Sequence, residues 1–297
     1  MHIKLSTFLA IAWVASVGSF VSYATAHWLH NRERANSYPF ESGFEQNNLD
    51  AWRSIGSTQF CCAHSAILDK TFARSGHQAL KFQLLKSDPE VKSSQRAEIR
   101  LQAGKFGVEY WYRFSLKIPK NWQNDSIPTT LAQWHGVPEK FRFEAGRTPP
   151  LFMHLHNGQL GIGNFWDSKS VTRFPGKNGT PEGYKRLWHS AVEKGVWSDW
   201  VFHVQWSYQN DGYIEIWKDG VQVATTTGPN TYNDVLAPYL KLGLYIPQWK
   251  LQMGLDSVIR REIYVDDVSI VTGPGGRHTL TQRTPSAALI TLARHRP

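Results

Sequence analysis

Three short stretches carry the side chains that could do chemistry. Tyr239-Leu-Lys241-Leu-Gly243-Leu-Tyr245 alternates leucine with polar residues or glycine. In a strand, successive side chains point to opposite faces, so the leucines share one face and two phenols, an ammonium and a gap share the other. Arg96-x-Glu98-x-Arg100 places three charges on one strand face, and Gln133-x-His135 places an amide and an imidazole together, with Trp134 on the reverse. Removing the proton at C5 of a uronate, α to its carboxylate, suits this set. The carboxylate must be neutralised, which Arg and Gln can do. A base must take the proton, either a neutral His or a Tyr deprotonated with the help of cationic neighbours, and a phenol can protonate the leaving glycosidic oxygen.

The elements that hold these stretches read as strands. Candidates lie over 79–85, 94–101, 107–118, 130–135, 151–156, 159–162, 200–206, 212–217, 221–225, 239–245 and 262–271, separated by polar turns. Asn157-Gly158 and Lys218-Asp219-Gly220 are hairpin signals. Phe44 to Trp52 reads as a first strand and turn, and 164–195 as a long, functional loop. No long amphipathic helix and no internal repeat is evident. The expectation is one all-β domain, a two-sheet sandwich or jelly roll with a concave groove.

Composition narrows the function classes. The 297-residue chain has a net charge of +9 and 13 tryptophans. Net basic charge favours a polyanion, and indoles suit pyranose faces, although sandwich cores use them too. No arginine-rich arm, helix-turn-helix or zinc finger is present, so nucleic acid is not expected as a partner. Residues 1–26 have the form of a signal peptide, with Lys4, an apolar run to Val21 and Ala24-Thr-Ala26. A membrane anchor is the alternative, disfavoured by Ser16, Gly18 and Ser19 within the run. A secreted or periplasmic monomer with a domain over 27–272 and a flexible basic tail over 273–297 is expected, without stable membrane association. In an oxidising compartment the adjacent Cys61 and Cys62 are expected to form a vicinal disulfide, with a bridge to another chain as the alternative.

Gln95-Arg-Ala-Glu-Ile-Arg100, Tyr110-Trp-Tyr-Arg-Phe-Ser-Leu116, Leu131-Ala-Gln-Trp-His135, Pro149-Pro-Leu-Phe152, Gly212 to Gly220 and Lys241 to Tyr245 carry a resemblance. Over about 40–272 the chain resembles the polysaccharide lyase family of glucuronan lyases and heparin lyase I. The three polar motifs are also similar to those of jelly-roll alginate lyases. The resemblance implies a jelly roll and β-elimination on an acidic polysaccharide. It implies His135 and Tyr245 as the proton-transfer pair, Gln133 and Arg96 on the carboxylate, and Lys241 in the groove. Glu98, Arg100 and Trp134 are assigned to substrate contact. His154 and His156 share a strand face and could line the groove, as could His203. Heparin lyase I carries a large basic thumb for which this chain has no room, so an unsulfated polyuronate such as glucuronan is expected; heparin, heparan and alginate remain alternatives. A structural Ca2+ is implied by the family, with Glu45, Asp266 and Asp267 as candidate ligands from the first and last strands. Two other classes compete. A carbohydrate-binding module would not need His135 and Tyr245 together. A retaining glycoside hydrolase needs two close carboxylates on one strand face, and no such pair is found.

Overall fold

The computed structural model describes residues 39–144, 146–172, 181–251, 258–274 and 276. The expected signal peptide and almost all of the expected tail lie outside them. Two antiparallel sheets make a sandwich. One runs, edge to edge, β13 (Val221–Thr227), β12 (Tyr213–Lys218), β11 (Trp197–Gln205), β6 (Glu109–Lys117), β15 (Arg260–Thr272), β4 (Ala79–Leu85) and β3 (Ala66–Asp69). β1 (Phe40–Ser42) also pairs with β15, so the first and last strands meet. The other sheet runs β10 (Gly183–Ala191), β9 (Gln159–Trp166), β8 (Leu151–His156), β7 (Thr129–His135), β14 (Tyr239–Tyr245), β5 (Arg96–Arg100) and β2 (Ser57–Gln59).

Period-two alternation decides which residues fill the space between the sheets. Leu240, Leu242 and Leu244 of β14 are buried there, as are Leu151, Met153 and Leu155 of β8 and Ala97 and Ile99 of β5. Trp134 is fully buried in this core, its ring 4.5 Å from that of Phe202 and 5.4 Å from that of Tyr112. The expectation that Trp134 touches substrate is therefore corrected. Strand parity turns it inward, opposite to Gln133 and His135.

The long loop expected over 164–195 is also corrected. β9 continues to Trp166 and β10 begins at Gly183, leaving a much shorter connection. A bulge between Arg186 and Trp188 shifts the register of β10, so no alternating pattern spans it. The strand is the sheet's edge and mostly exposed, with Leu187 and Trp188 packed against the core. The stretch Phe44 to Trp52 holds no strand; helix α1 (Asp50–Ile55) follows β1 and buries Trp52 against Phe40 and Phe44.

One buried ion cluster fixes the connections beyond β7 and before β14. Arg147 donates to Glu144 at 2.9 Å and to Asp234, all three buried. Asp234 also accepts the Val137 N–H at 2.9 Å, and Glu144 accepts the Thr172 N–H at 2.7 Å. Burial pushes the Asp234 carboxyl up to about 6, with Arg147 opposing. Removing one partner of such a cluster leaves uncompensated buried charge. Arg147→Ala is expected to lose about 3–5 kcal/mol in urea denaturation. The exposed Arg53–Asp50 pair serves as the control, where Arg53→Ala is expected to leave the midpoint unchanged.

Candidate functional site

The outward face of the seven-stranded sheet collects the polar residues that the sequence singled out. Register sets them in two rows. Arg100, Lys241, Gln133 and Phe152 are successive cross-strand partners on β5, β14, β7 and β8. Arg96, Tyr245, Thr130 and His154 make the second row on the same strands. Two irregularities between the rows keep them in line. β14 carries one more residue than β7 there, and β7 carries one more than β8. The β7 irregularity sends Leu131 and Ala132 both into the core and returns Thr130 to the polar face.

Glu98 is the hub between the rows. Its carboxylate accepts from Gln133 Nε2 at 2.5 Å, from Lys241 Nζ, and from Arg96 Nη1 at 3.3 Å. Glu98, Gln133 and Lys241 are each about 2% exposed. Lys241 is thus the buried counter-ion of Glu98. Burial pulls its ammonium below the ordinary lysine value, with Glu98 opposing. Arg96 also donates to Gln59 Oε1 at 3.4 Å, and its guanidinium lies 4.5 Å from the centre of the Tyr245 ring. The Tyr245 ring centre is 5.8 Å from Lys241 Nζ. Gly243, at φ +135°, lies against β5 where an added Cβ would sit 2.1 Å from the Ala97 carbonyl oxygen. The neighbour that needs the missing side chain is the next strand's own backbone.

His135 stands at the other end of the hub. Its register partner is Tyr239, ring centres 5.5 Å apart, and Arg100 lies 4.1 Å over the Tyr239 ring. His135 Nδ1 is 2.7 Å from the Gly136 carbonyl oxygen, so it carries the proton and leaves Nε2 as the acceptor. Burial, aided by Lys241, lowers the His135 pKa to about 4, against the Gly136 contact. The imidazole is neutral at pH 7.

His135 and Tyr245 share this face, but they are not cross-strand neighbours. Tyr245 pairs with Thr130, five residues from His135 along β7, a backbone separation of at most about 16 Å. The two flank the Glu98 hub from opposite ends of the same face. Tyr239, read from the sequence only as part of the alternation, is the phenol beside His135.

His154 and His156 alternate with buried Met153 and Leu155 and lie on the same outward face. The His154 ring packs over Gly161, where a Cβ would meet it at 3.0 Å. Its Nδ1 is buried without a hydrogen-bond partner, and burial lowers its pKa. His203 lies on the other sheet, held by Glu215 at 2.7 Å and Glu109 at 2.5 Å, and has no place on this face. A cavity of about 300 Å³ beside Trp122 and Arg261 is elsewhere too, and Arg261 is already bound to Gln123 and Asp125.

The calcium candidates converge on one loop without forming one cluster. Glu45 Oε1 accepts the N–H groups of His77 at 3.0 Å and Gln78 at 3.3 Å. Asp266 Oδ2 accepts those of Arg74 at 2.8 Å and Ser75 at 3.3 Å, and Asp267 accepts the Ser75 hydroxyl at 2.5 Å. Among the described residues, no group of three metal-ligating side chains includes any of them. Burial pushes Asp266 up to about 6, which shows a carboxylate short of positive partners.

Comparison with known proteins bears on this arrangement. The polysaccharide lyase family model matches residues 44–269. This chain belongs to the polysaccharide lyase family. An endo-β-1,4-glucuronan lyase from the fungus Trichoderma reesei is 19% identical with a TM-score of 0.65; the match covers 80% of this chain and 95% of that one. Alginate lyase A1-II′ is 14% identical with a TM-score of 0.47, over 74% of this chain and 95% of that one. No curated protein matches. The lyase is an enzyme on a jelly-roll sandwich, as the residue patterns implied. No helix among the described residues is long and apolar enough to cross a membrane.

The lowered pKa of His135 makes a solution prediction. Proton NMR titration of the lyase is expected to show this imidazole changing protonation near pH 4. The unfolded chain protonates it near 6.5, so the neutral form favours the fold. Its contribution to stability is full above 6.5 and is lost as pH falls toward 4. Titration of His135 near 6.5 would contradict the burial that causes the shift.

Proposed function

We propose that this lyase cleaves a glucuronate polymer by β-elimination on the outward face of the seven-stranded sheet. The observation that carries the reading is the Glu98 hub, with a neutral histidine at one end and a phenol at the other. The glucuronan lyase activity of the Trichoderma reesei enzyme supports the same substrate class. The substrate carboxylate binds over Arg96, whose donors oppose the charge that grows as the C5 proton leaves, with the amide of Gln133 buried behind it on Glu98. Lys241 acts from beneath through Glu98 and the local field. His135 takes the C5 proton on Nε2. The C5–H electrons become the C4–C5 double bond, the C4–O bond breaks, and the Tyr245 hydroxyl protonates the departing oxygen. Arg96 over the phenol ring holds the resulting phenolate. His156 and Arg100 extend the binding face along the polymer.

A second assignment of the base rests on one observation. His154 lies on the row of Tyr245, two strands away, about 10 Å between backbones, with an unpartnered buried Nδ1. His135→Gln abolishing turnover while His154→Gln mainly raises KM supports the first assignment; the reverse supports the second.

Glucuronan, alginate and heparan sulfate are the substrates to compare, followed at the ultraviolet absorbance of an unsaturated uronate. Glucuronan is expected to give the signal. New sugar ends without absorbance would mean hydrolysis. Tyr245→Phe is expected to lower kcat by about 10²–10⁴ with little change in KM. Near-normal turnover in that variant would pass the acid role to Tyr239.

The family's calcium is proposed at Asp266, Asp267 and Glu45. The buried, under-compensated Asp266 fits a cation, which would tie the 74–78 loop to the last strand. Ca2+ at about 100 times Kd is expected to add about 2.7 kcal/mol, read as a rise in Tm over chelator-treated protein. Asp266→Asn is expected to abolish the rise. An equal Tm with Ca2+ and with chelator would remove the site.

A further inference from the structure

Beyond β2 the chain turns through Cys61 and Cys62, which are bonded to each other as expected from their adjacency. Around this disulfide stand groups that the proposed elimination does not use. Cys62 Sγ is 3.9 Å from Asp88 Oδ1. His64 Nε2 is 3.1 Å and 3.0 Å from the two Asp88 oxygens. Asp88 is buried and fixed, accepting the Leu85 N–H at 2.9 Å, while its own carbonyl accepts from Gln95 Nε2 at 2.9 Å. Cys61 Sγ has the Ser65 hydroxyl at 3.8 Å. One ligand atom each from Cys61, Cys62 and Asp88 lie within 4.8 Å of one another.

We propose that the Cys61–Cys62 disulfide is the closed form of a thiolate metal site, and that its reduction frees Cys61, Cys62, His64 and Asp88 to bind one Zn2+. The spacing at Asp88 argues for it, while the His64 nitrogens are not among the atoms that lie within 4.8 Å of one another, so that ring must swing toward the sulfurs. With Zn–S near ~2.3 Å and Zn–N or Zn–O near ~2.0 Å, a tetrahedral site has S···O edges of about 3.5 Å and N···O edges of about 3.3 Å. The Cys62–Asp88 and His64–Asp88 distances, 3.9 and 3.1 Å, are each within about half an ångström of those edges. The two sulfurs need to part only as far as a broken bond allows, to about 3.8 Å. Two thiolates and an imidazole select a borderline-soft ion over Ca2+ or Mg2+. The Leu85 N–H on the carboxylate supplies the orienting outer contact that metal ligands need.

The chemistry balances in two steps. The S–S bond accepts two electrons and two protons, while a thiol reductant becomes a disulfide, or a phosphine and water become a phosphine oxide. Zn2+ then displaces the two thiol protons and forms two metal–sulfur bonds. In the oxidised chain the sulfurs offer no thiolate, and the set lacks half its ligands.

The test uses the full chain, reduced with a water-soluble phosphine, freed of it without oxygen, and titrated with Co2+ as a spectroscopic stand-in and with Zn2+ under native mass spectrometry. One metal per chain and a thiolate-to-cobalt charge-transfer band are expected in the reduced protein, with neither in the oxidised protein. Asp88→Asn and His64→Gln are each expected to weaken binding about tenfold or more. Because Asp88 also holds its loop, circular dichroism checks that variant, and the half-exposed His64 provides the test that does not depend on folding. No band from the reduced chain, a disulfide that the phosphine does not open in the folded protein, or unchanged affinity in His64→Gln would overturn the proposal.

Discussion

A buried carboxylate governs the polar face. Glu98 lies on the side of the sheet that faces away from the core, yet it is as buried as a core residue, with three donors converging on its two oxygens. A lone ammonium at the depth of Lys241 would be costly, and a lone carboxylate there equally so. Each makes the other tolerable, and the pair holds Gln133 in one orientation. Arg96 keeps one side on Glu98 and its plane over Tyr245. The site's rigidity therefore comes from charge compensation, where the facing layer between the sheets relies on interdigitated leucines and tryptophans.

The same face shows what was legible in the sequence. Alternation in Tyr239–Tyr245 and in Arg96–Arg100 identified which residues share a side, and the structure keeps those parities. The residues of the central hub were present in three separate motifs. That Lys241 would be sealed against Glu98 rather than reach into solvent depended on depth, which alternation does not encode. The relation of His135 to Tyr245 was not legible because spacing within a strand says nothing of register between strands. Only the pairing of Lys241 with Gln133 places Tyr239, and not Tyr245, beside the histidine. β10 escaped detection because a bulge breaks its period, and β1 to β3 because three or four residues carry too little pattern.

The ion cluster of Arg147, Glu144 and Asp234 left no trace in the motifs either. Its members are scattered over two connections and meet only when β7 and β14 pair. It sits at the His135 end of the face, where Val137 is tied to Asp234, and so carries the histidine's backbone at a fixed height beside Tyr239. Folding stability and the placing of a proton acceptor are joined there through one arginine.

The two rows on the polar face are separated by unequal runs of chain. Between them lie four residue steps on β5 and β14, three on β7 and two on β8. The surplus residues are taken up at the two irregularities, where a bulged strand bends and twists instead of lengthening. The surface is therefore bent unevenly, most where those irregularities lie. A uronate polymer is itself directional, with a reducing and a non-reducing end. Laid across such a surface, the two orientations of the chain meet its bends in opposite order, so the irregularities in β7 and β14 give the sheet a sense of direction that evenly paired strands would lack.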